Sequence, residues 1–424
     1  MKAKMARSYR QLADFRAHAI VIYLMAFSII LVSTGGIVSS TIMGLLILLG
    51  IATLIFDGTA SDVFLNRTGL RSMAILLGLA LLWQGLGLLL RSPSDPRAGS
   101  VLGSAFGIAM LLPVLVAALQ HDAKFRNQLF TVLFVLGSVA AALSILRHLI
   151  SLGQAGNLSI RGLLQIRLVP VGRADHQILG AGGLAASFFA GLATYSKASI
   201  RQGRLRITGL ALIALTVVLT QSRGPILGIC LAVMAAYVVE RSRGRETTAR
   251  IAFALMAMCF LIPVGLVVME PWIKDLVCTG QLHICRPSAR QNVWNAVLTM
   301  VAERPWFGIG PTFRFPAGSV SHPHNGFLGL IFFFGLPMGL LFLGILVLAM
   351  RQALAASPSA GRTFAILGLF FSSSFVATDL SNPFGFVNTH YLYLWLPVFV
   401  ASALGTLAAH EPRSTVLSTE VMPG

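Results

Sequence analysis

What most constrains this chain is a repeated pattern: apolar runs of roughly 18 residues or more, separated by short loops in which Lys and Arg gather. A run of that length crosses the hydrocarbon of a bilayer as one helix, because a helix pairs its own backbone N–H and C=O groups where no water can. The runs do not alternate polar and apolar residues, as the strands of a membrane barrel do. Only 11% of the residues are charged, against about a quarter in a soluble domain. A chain this apolar cannot cover itself with polar surface, so lipid must be its solvent. The pattern predicts an all-α integral membrane protein, residues 1–424 forming a single transmembrane domain of about twelve helices. The spans fall near 19–37, 40–56, 71–90, 99–119, 129–152, 176–195, 207–222, 225–240, 251–270, 325–350, 363–380 and 389–409. No small-residue cleavage site follows the first span, so no cleavable signal peptide is expected.

The formal net charge is +18. In a soluble protein that excess would suggest nucleic acid. Here the cations lie in short loops, where topology and anionic membrane lipids account for them, and no nucleic-acid partner is expected. With the N-terminus cytoplasmic, 20 of the 32 Lys and Arg residues fall inside and 11 outside, Arg147 lying within a span. That bias predicts an inner-membrane protein with both termini cytoplasmic and an even number of spans. Ten of the eleven outer cations are Arg, and most of these cluster in 153–175, 221–225 and 271–324. Interfacial anchoring or pairing with Asp175, Glu270, Asp275 and Glu303 explains some of them. Arg outnumbers acid in these segments, which leaves guanidiniums for an anionic ligand; the planar fork of donors suits phosphate.

The segment 271–324 is the longest between spans, about 54 residues, and is expected to be a periplasmic loop between spans nine and ten with a short helix of its own. Pro287 to Glu303 reads as that helix, with Val293, Trp294, Val297, Leu298 and Val301 at helical spacing and Arg290 a turn before Trp294. Pro305, Gly308, Gly310 and Pro311 end it. Cys230 and Cys259 fall within spans. Cys278 and Cys285 share the outer loop, where a disulfide and free thiols both remain open, and their spacing does not suit zinc.

Three short motifs carry chemistry. In Gln221-Ser222-Arg223-Gly224-Pro225, Pro225 is expected at the first helical position with Gly224 as cap, which would set Arg223 beside a helix N-terminus. The alternative is a tight hairpin with a snorkelling Arg. In Ser321-His322-Pro323-His324-Asn325-Gly326, Pro323 is expected at the first helical position, placing His324 and Asn325 in the first turn. The helix terminus would then keep His324 neutral and able to accept a proton. Two polar interfacial residues, or a metal site lacking a third ligand, are the other readings. Between Arg161 and His176 lie Arg167, Arg173 and Asp175; Asp175 either orients His176 or neutralises Arg173.

Taken together these residues resemble the O-antigen ligase and O-antigen polymerase superfamily of membrane glycosyltransferases, whose architecture is GT-C-like. In that family a late periplasmic loop runs from Arg through Trp and a Pro–Gly–Gly stretch to a His-Asn that opens a helix. Here these are Arg290, Trp294, Pro305-Trp306-Phe307-Gly308-Ile309-Gly310 and His324-Asn325. Ser222-Arg223-Gly224 matches the upstream hairpin. The ligases show His-Asn, nine residues, then Gly-x-x-Gly. Nine residues separate Asn325 from Gly335, but the second glycine comes one place late, at Gly339, with Met338 in its expected position.

The resemblance implies transfer of a glycan from undecaprenyl diphosphate to a sugar hydroxyl of lipid A-core, with inversion, and with no metal, nucleotide or other cofactor. It casts His324 as general base and Arg223 and Arg290 as the diphosphate grip. Arg161, Arg167, Arg173, His322, Asn325 and Trp294 are candidates for holding the diphosphate or the acceptor. A lipid-facing cleft is expected beside spans eight and ten. An O-antigen polymerase would share the donor and differ in acceptor; a protein O-oligosaccharyltransferase would differ likewise. A secondary transporter is the reading of another class, but it needs midplane carboxylates. The spans hold almost none, Asp379 lying near a span end.

Overall fold

The computed structural model describes residues 48, 51, 68–91, 98–121, 123–172, 176–195, 200–272, 290–313, 315, 322–380, 382–385 and 390–408. Among them the chain is helical, with no strand. In chain order the helices are α1 (Thr68–Arg91), α2 (Ala98–His121), α3 (Ala123–Gln154), the short α4 (Ile160–Gln165), α5 (Gln177–Thr194), α6 (Ile200–Leu219), α7 (Arg223–Arg241) and α8 (Arg245–Val268). There follow α9 (Arg290–Glu303), α10 (Gly326–Phe334), α11 (Leu336–Ala355), α12 (Ala360–Thr378), a π-helical turn (Tyr391–Trp395) and α13 (Leu396–Ala408). Seven helices among the described residues are long and apolar enough to cross a membrane, so this is a multi-pass membrane protein. The first two expected spans lie outside the described residues, apart from helical Leu48 and Ile51.

The bundle is organised around α12. Of its residues only Arg362 and Thr363 fall short of full burial, so α12 is sheathed by protein where its neighbours face lipid. It packs against α7, α8, α5 and α13. Small residues permit that approach: a Cβ on Gly368 would strike Pro397 of α13, and one on Gly182 of α5 would meet Tyr393 and Phe375. Outward faces are apolar, as with Leu82 and Leu89 on α1 or Leu261 and Val268 on α8.

The tenth expected span, 325–350, is two helices. Gly335 sits at φ 85 between α10 and α11 and breaks the ladder. A break inside a bilayer strands backbone groups, which need partners. The segment after α9 supplies them. Ile309 N donates to Phe332 O at 2.8 Å, Gly310 N to Phe333 O at 3.1 Å, and Leu336 N to Pro305 O at 2.7 Å. Trp83 Nε1 donates to Phe334 O at 2.8 Å, while its ring stacks on Phe307 with centroids 4.7 Å apart. The two backbones touch: a Cβ on Gly335 would collide with Trp306 O, and one on Gly308 with Phe332 O. The late glycine, Gly339, lies against Ile331 across the break.

Two helix starts differ from expectation. α7 begins at Arg223 with Ser222 as N-cap, so Pro225 is the third helical residue, still within the first turn where its missing N–H costs nothing. α10 begins at Gly326 with Asn325 as N-cap, so Pro323 and His324 precede the helix. Asn325 Oδ1 accepts from Leu328 N at 2.9 Å, and that cap decides the boundary.

Candidate functional site

The ends of α6, α8 and α12 and the starts of α5, α7, α10 and α13 lie at one end of the bundle, and α9 packs there on α10 and α8. Two tight turns there present the motif residues. Both contain a non-glycine residue in the left-handed region, Gln221 at φ 51 and His324 at φ 53. Such backbone costs on the order of 1–3 kcal/mol and persists only where surroundings over-determine it.

The first turn joins α6 to α7. Arg167 clamps it: Nε donates to Thr220 O at 2.9 Å and Nη2 to Ser222 Oγ at 3.0 Å. Leu168 N adds a bond to Leu219 O at 2.9 Å. Arg223, the first residue of α7, pairs with Glu270 at 3.8 Å, beyond α8. Gly224 is needed because Asp379 lies against it; a Cβ there would collide with the carboxylate.

The second turn leads into α10 and is pinned from three sides. Trp294 Nε1 of α9 donates to Pro323 O at 2.7 Å. His324 N donates to His322 Nδ1 at 3.2 Å. Asn325 caps the helix that follows. The rings of His322 and His324 lie 3.9 Å apart.

Asp379, at the C-terminus of α12, ties the turns together. Arg290 Nη2, at the start of α9, donates to Asp379 Oδ1 at 2.6 Å, and Thr378 Oγ1 donates to Oδ2 at 2.8 Å. The carboxylate side chain is 1% exposed and Arg290 22%. Burial pushes the Asp379 carboxyl above its ordinary range, while Arg290, Thr378, His176 and Arg223 pull it back down. The first turn of α7 beside it carries partial positive charge and also favours the anion.

The imidazoles are all pushed toward the neutral form. Burial carries His324 down to about 3, helped by the like charges of His322, Arg290 and His176. His322 is lowered by burial, His176 and Arg290. His176, the N-cap of α5, is lowered by burial and Arg167 and raised by Asp379. His390 is lowered to about 4, mostly by burial, and feels His322. A neutral His324 thus arises chiefly from desolvation rather than from a place inside a helix terminus.

Of the residues singled out in the sequence, His322, His324, Asn325, Trp294 and Arg290 are one connected group. Arg223 joins it through Asp379, on which Arg290 and Arg223 both act. Arg167 Nε and Nη2 donate to the protein's own Thr220 and Ser222. Arg161 is exposed on α4, and no bond ties it to the cluster among the described residues. Arg173, Cys278 and Cys285 lie outside the described residues. Sequence reasoning passed over Asp379 and His390 as site residues. The signal for Asp379 was there: an acid at the end of an otherwise uncharged span needs a partner. Leu298 does not join the packed face of α9; Trp294, Val297 and Val301 do. Among the described residues no three His, Cys, Asp or Glu side chains converge as metal ligands.

An apolar groove of about 700 Å³ opens beside the cluster. Phe253, Met256 and Phe260 of α8 form one wall and Phe342 and Leu346 of α11 the other, with Ser373 and Val376 of α12 between. Phe327, three residues after His324, also lines it, and Arg351 lines it from the far end of α11. The groove therefore borders the ninth, tenth and eleventh expected spans, not the eighth.

Residues 208–343, from within α6 to the middle of α11, match a family model described as O-antigen ligase. No curated protein matches the chain.

Proposed function

From the match of residues 208–343 to the O-antigen ligase family, which supports that family for this chain, we propose that the protein is an O-antigen ligase. It transfers a glycan from undecaprenyl diphosphate to a sugar hydroxyl of lipid A-core on the periplasmic side of the inner membrane. The observation that carries this reading is the Arg290–Asp379–Arg223 arrangement set beside a half-buried His324 whose imidazole is pushed toward the neutral form.

The chemistry follows from the charges. Arg290 and Arg223 offer two guanidiniums to the diphosphate, whose two or more negative charges compete with Asp379 and Glu270 for them. Asp379 holds the Arg290 fork in place before the donor arrives. His324 removes the proton from the acceptor hydroxyl; that oxygen bonds to the anomeric carbon as the C–O bond to the diphosphate breaks, with inversion. The leaving diphosphate keeps the electron pair, and the two guanidiniums stabilise it without metal. A preorganised charge of this kind is usually the largest catalytic contribution. An imidazole as low as His324 is a weak base until anionic donor lies near Arg290; the added negative charge raises its proton affinity. The isoprenoid chain lies in the groove between α8 and α11, where its burial contributes about 25 cal/mol per Å².

The test is transfer in cells. A strain carrying His324→Ala should insert the protein normally yet leave long glycans stranded on the lipid carrier and lipid A-core bare. Full-length glycan on the core would remove His324 from the base role. Loss of the whole gene that leaves single repeats attached to the core would instead mark a polymerase, and substrate uptake by proteoliposomes would mark a transporter.

A further inference from the structure

We infer that His322 is a positioning residue, acting through its Nδ1 on the backbone of His324 rather than on substrate. This rests on the ligase reading of the site. The geometry is that of an Asx turn, in which the side chain of one residue accepts from the backbone N–H two residues on. Here the acceptor is Nδ1 of His322 and the donor is His324 N, at 3.2 Å. Pro323 between them fixes its own φ and has no N–H to compete, and its carbonyl is held by Trp294 Nε1 at 2.7 Å. His324 is thereby kept in the left-handed region, φ 53, where a side chain rarely settles unaided. Its ring is also backed by that of His322, 3.9 Å away. The turn, not the α10 helix, aims the base, because α10 begins two residues later.

Atom positions make the inference decidable. Asn places Oδ1 the same number of bonds from Cα as His places Nδ1, so His322→Asn rebuilds the turn. Gln places its amide one bond further, near Nε2, and does not. Purified full-length variants are compared in detergent or proteoliposomes with lipid-linked donor and lipid A-core. His322→Ala should lower kcat by roughly tenfold or more while donor KM stays within about twofold, since a base misplaced by a fraction of an ångström loses rate and not affinity. His322→Gln should resemble Ala, and His322→Asn should recover to within about threefold of the parent. Should Asn be as slow as Ala, or the loss appear in donor KM, His322 acts through its ring on substrate or protons, and the inference is wrong. Wild-type rates for both Ala and Asn would overturn it too. If the Ala variant fails to accumulate, the Asn–Gln comparison decides alone. His324→Ala, assayed alongside, separates the two claims: an active His324→Ala sinks the ligase mechanism, while an inactive one with an unrescued His322→Asn sinks only the positioning role.

Discussion

The turn before α7 and the turn before α10 are built to the same plan and secured by opposite means. Each enters a helix through a strained non-glycine residue and delivers one polar side chain to the cluster. The first is held by the Arg167 guanidinium, which donates to a carbonyl and a hydroxyl. The second is held by acceptors and by an indole: His322 Nδ1, Asn325 Oδ1 and Trp294. A guanidinium stays charged at every accessible pH, so the first grip does not titrate. The second depends in part on the His322 imidazole, which must stay neutral at Nδ1 to accept. The turn proposed to serve an anion is thus held by a fixed charge, and the turn proposed to present the base is held in part by a group that responds to protons.

The comparison can be broken at several points. Removing the delivered group of the second turn, as His324→Ala, should cost about 10²–10⁴-fold in transfer rate, the usual range for a general base. Removing the fork that holds Asp379 between the two turns, as Arg290→Lys, should cost about 10²-fold in kcat, because a point charge cannot span Asp379 and a phosphate together. Steady-state rates with purified donor measure both, and an Arg290→Lys enzyme of parental rate would show that charge alone suffices. Arg167→Lys keeps the charge but cannot make both bonds to the first turn, so transfer should drop roughly tenfold through misplacement of Arg223. An unchanged rate would show that Gln221 holds its conformation without the clamp.

The smallest effect is on stability. His322 and His324 have folded values below the unfolded value of 6.5, His324 at about 3. Between those limits the unfolded chain binds protons the folded chain does not, so stability falls as pH drops from 6.5 toward about 3. Thermal unfolding in detergent should therefore give a Tm several degrees lower at pH 5 than at pH 7.5. His322→Asn should narrow the gap by removing one titrating group, whereas Arg167→Lys should leave it unchanged. Equal gaps in all three proteins would place the acid sensitivity elsewhere, with His176 and His390 the next candidates.

Most of the architecture was legible because it follows from solvent: apolar length finds spans, and Pro or Gly finds their interruptions. Helix starts were less legible. At Arg223 and Gly326 a proline suggested one boundary and a polar cap, Ser222 or Asn325, set another, two residues away in the first case and three in the second. The break at Gly335 was hidden because 325–350 is continuously apolar; only the remote segment 305–310 makes an interrupted helix tolerable. The motif residues could be named, since Arg, His and Asn are conspicuous in a chain so poor in polar groups. Their roles relative to one another could not. That two donors of Arg167 are taken by Thr220 and Ser222 shows only in three dimensions, and Asp379 gains meaning only when Arg290, 89 residues away, is found on it.

The mutual capping of 305–310 and the α10–α11 interruption has a practical corollary for chimeras. The stretch carrying Trp306 and Gly308 and the stretch carrying Phe332 to Leu336 form one interlocked joint, each supplying what the other lacks. Grafting the segment 271–324 of one relative onto another would separate the halves of that joint and leave its backbone groups without partners. Specificity exchanges should therefore move both stretches together, or confine their cut points to the residues between them.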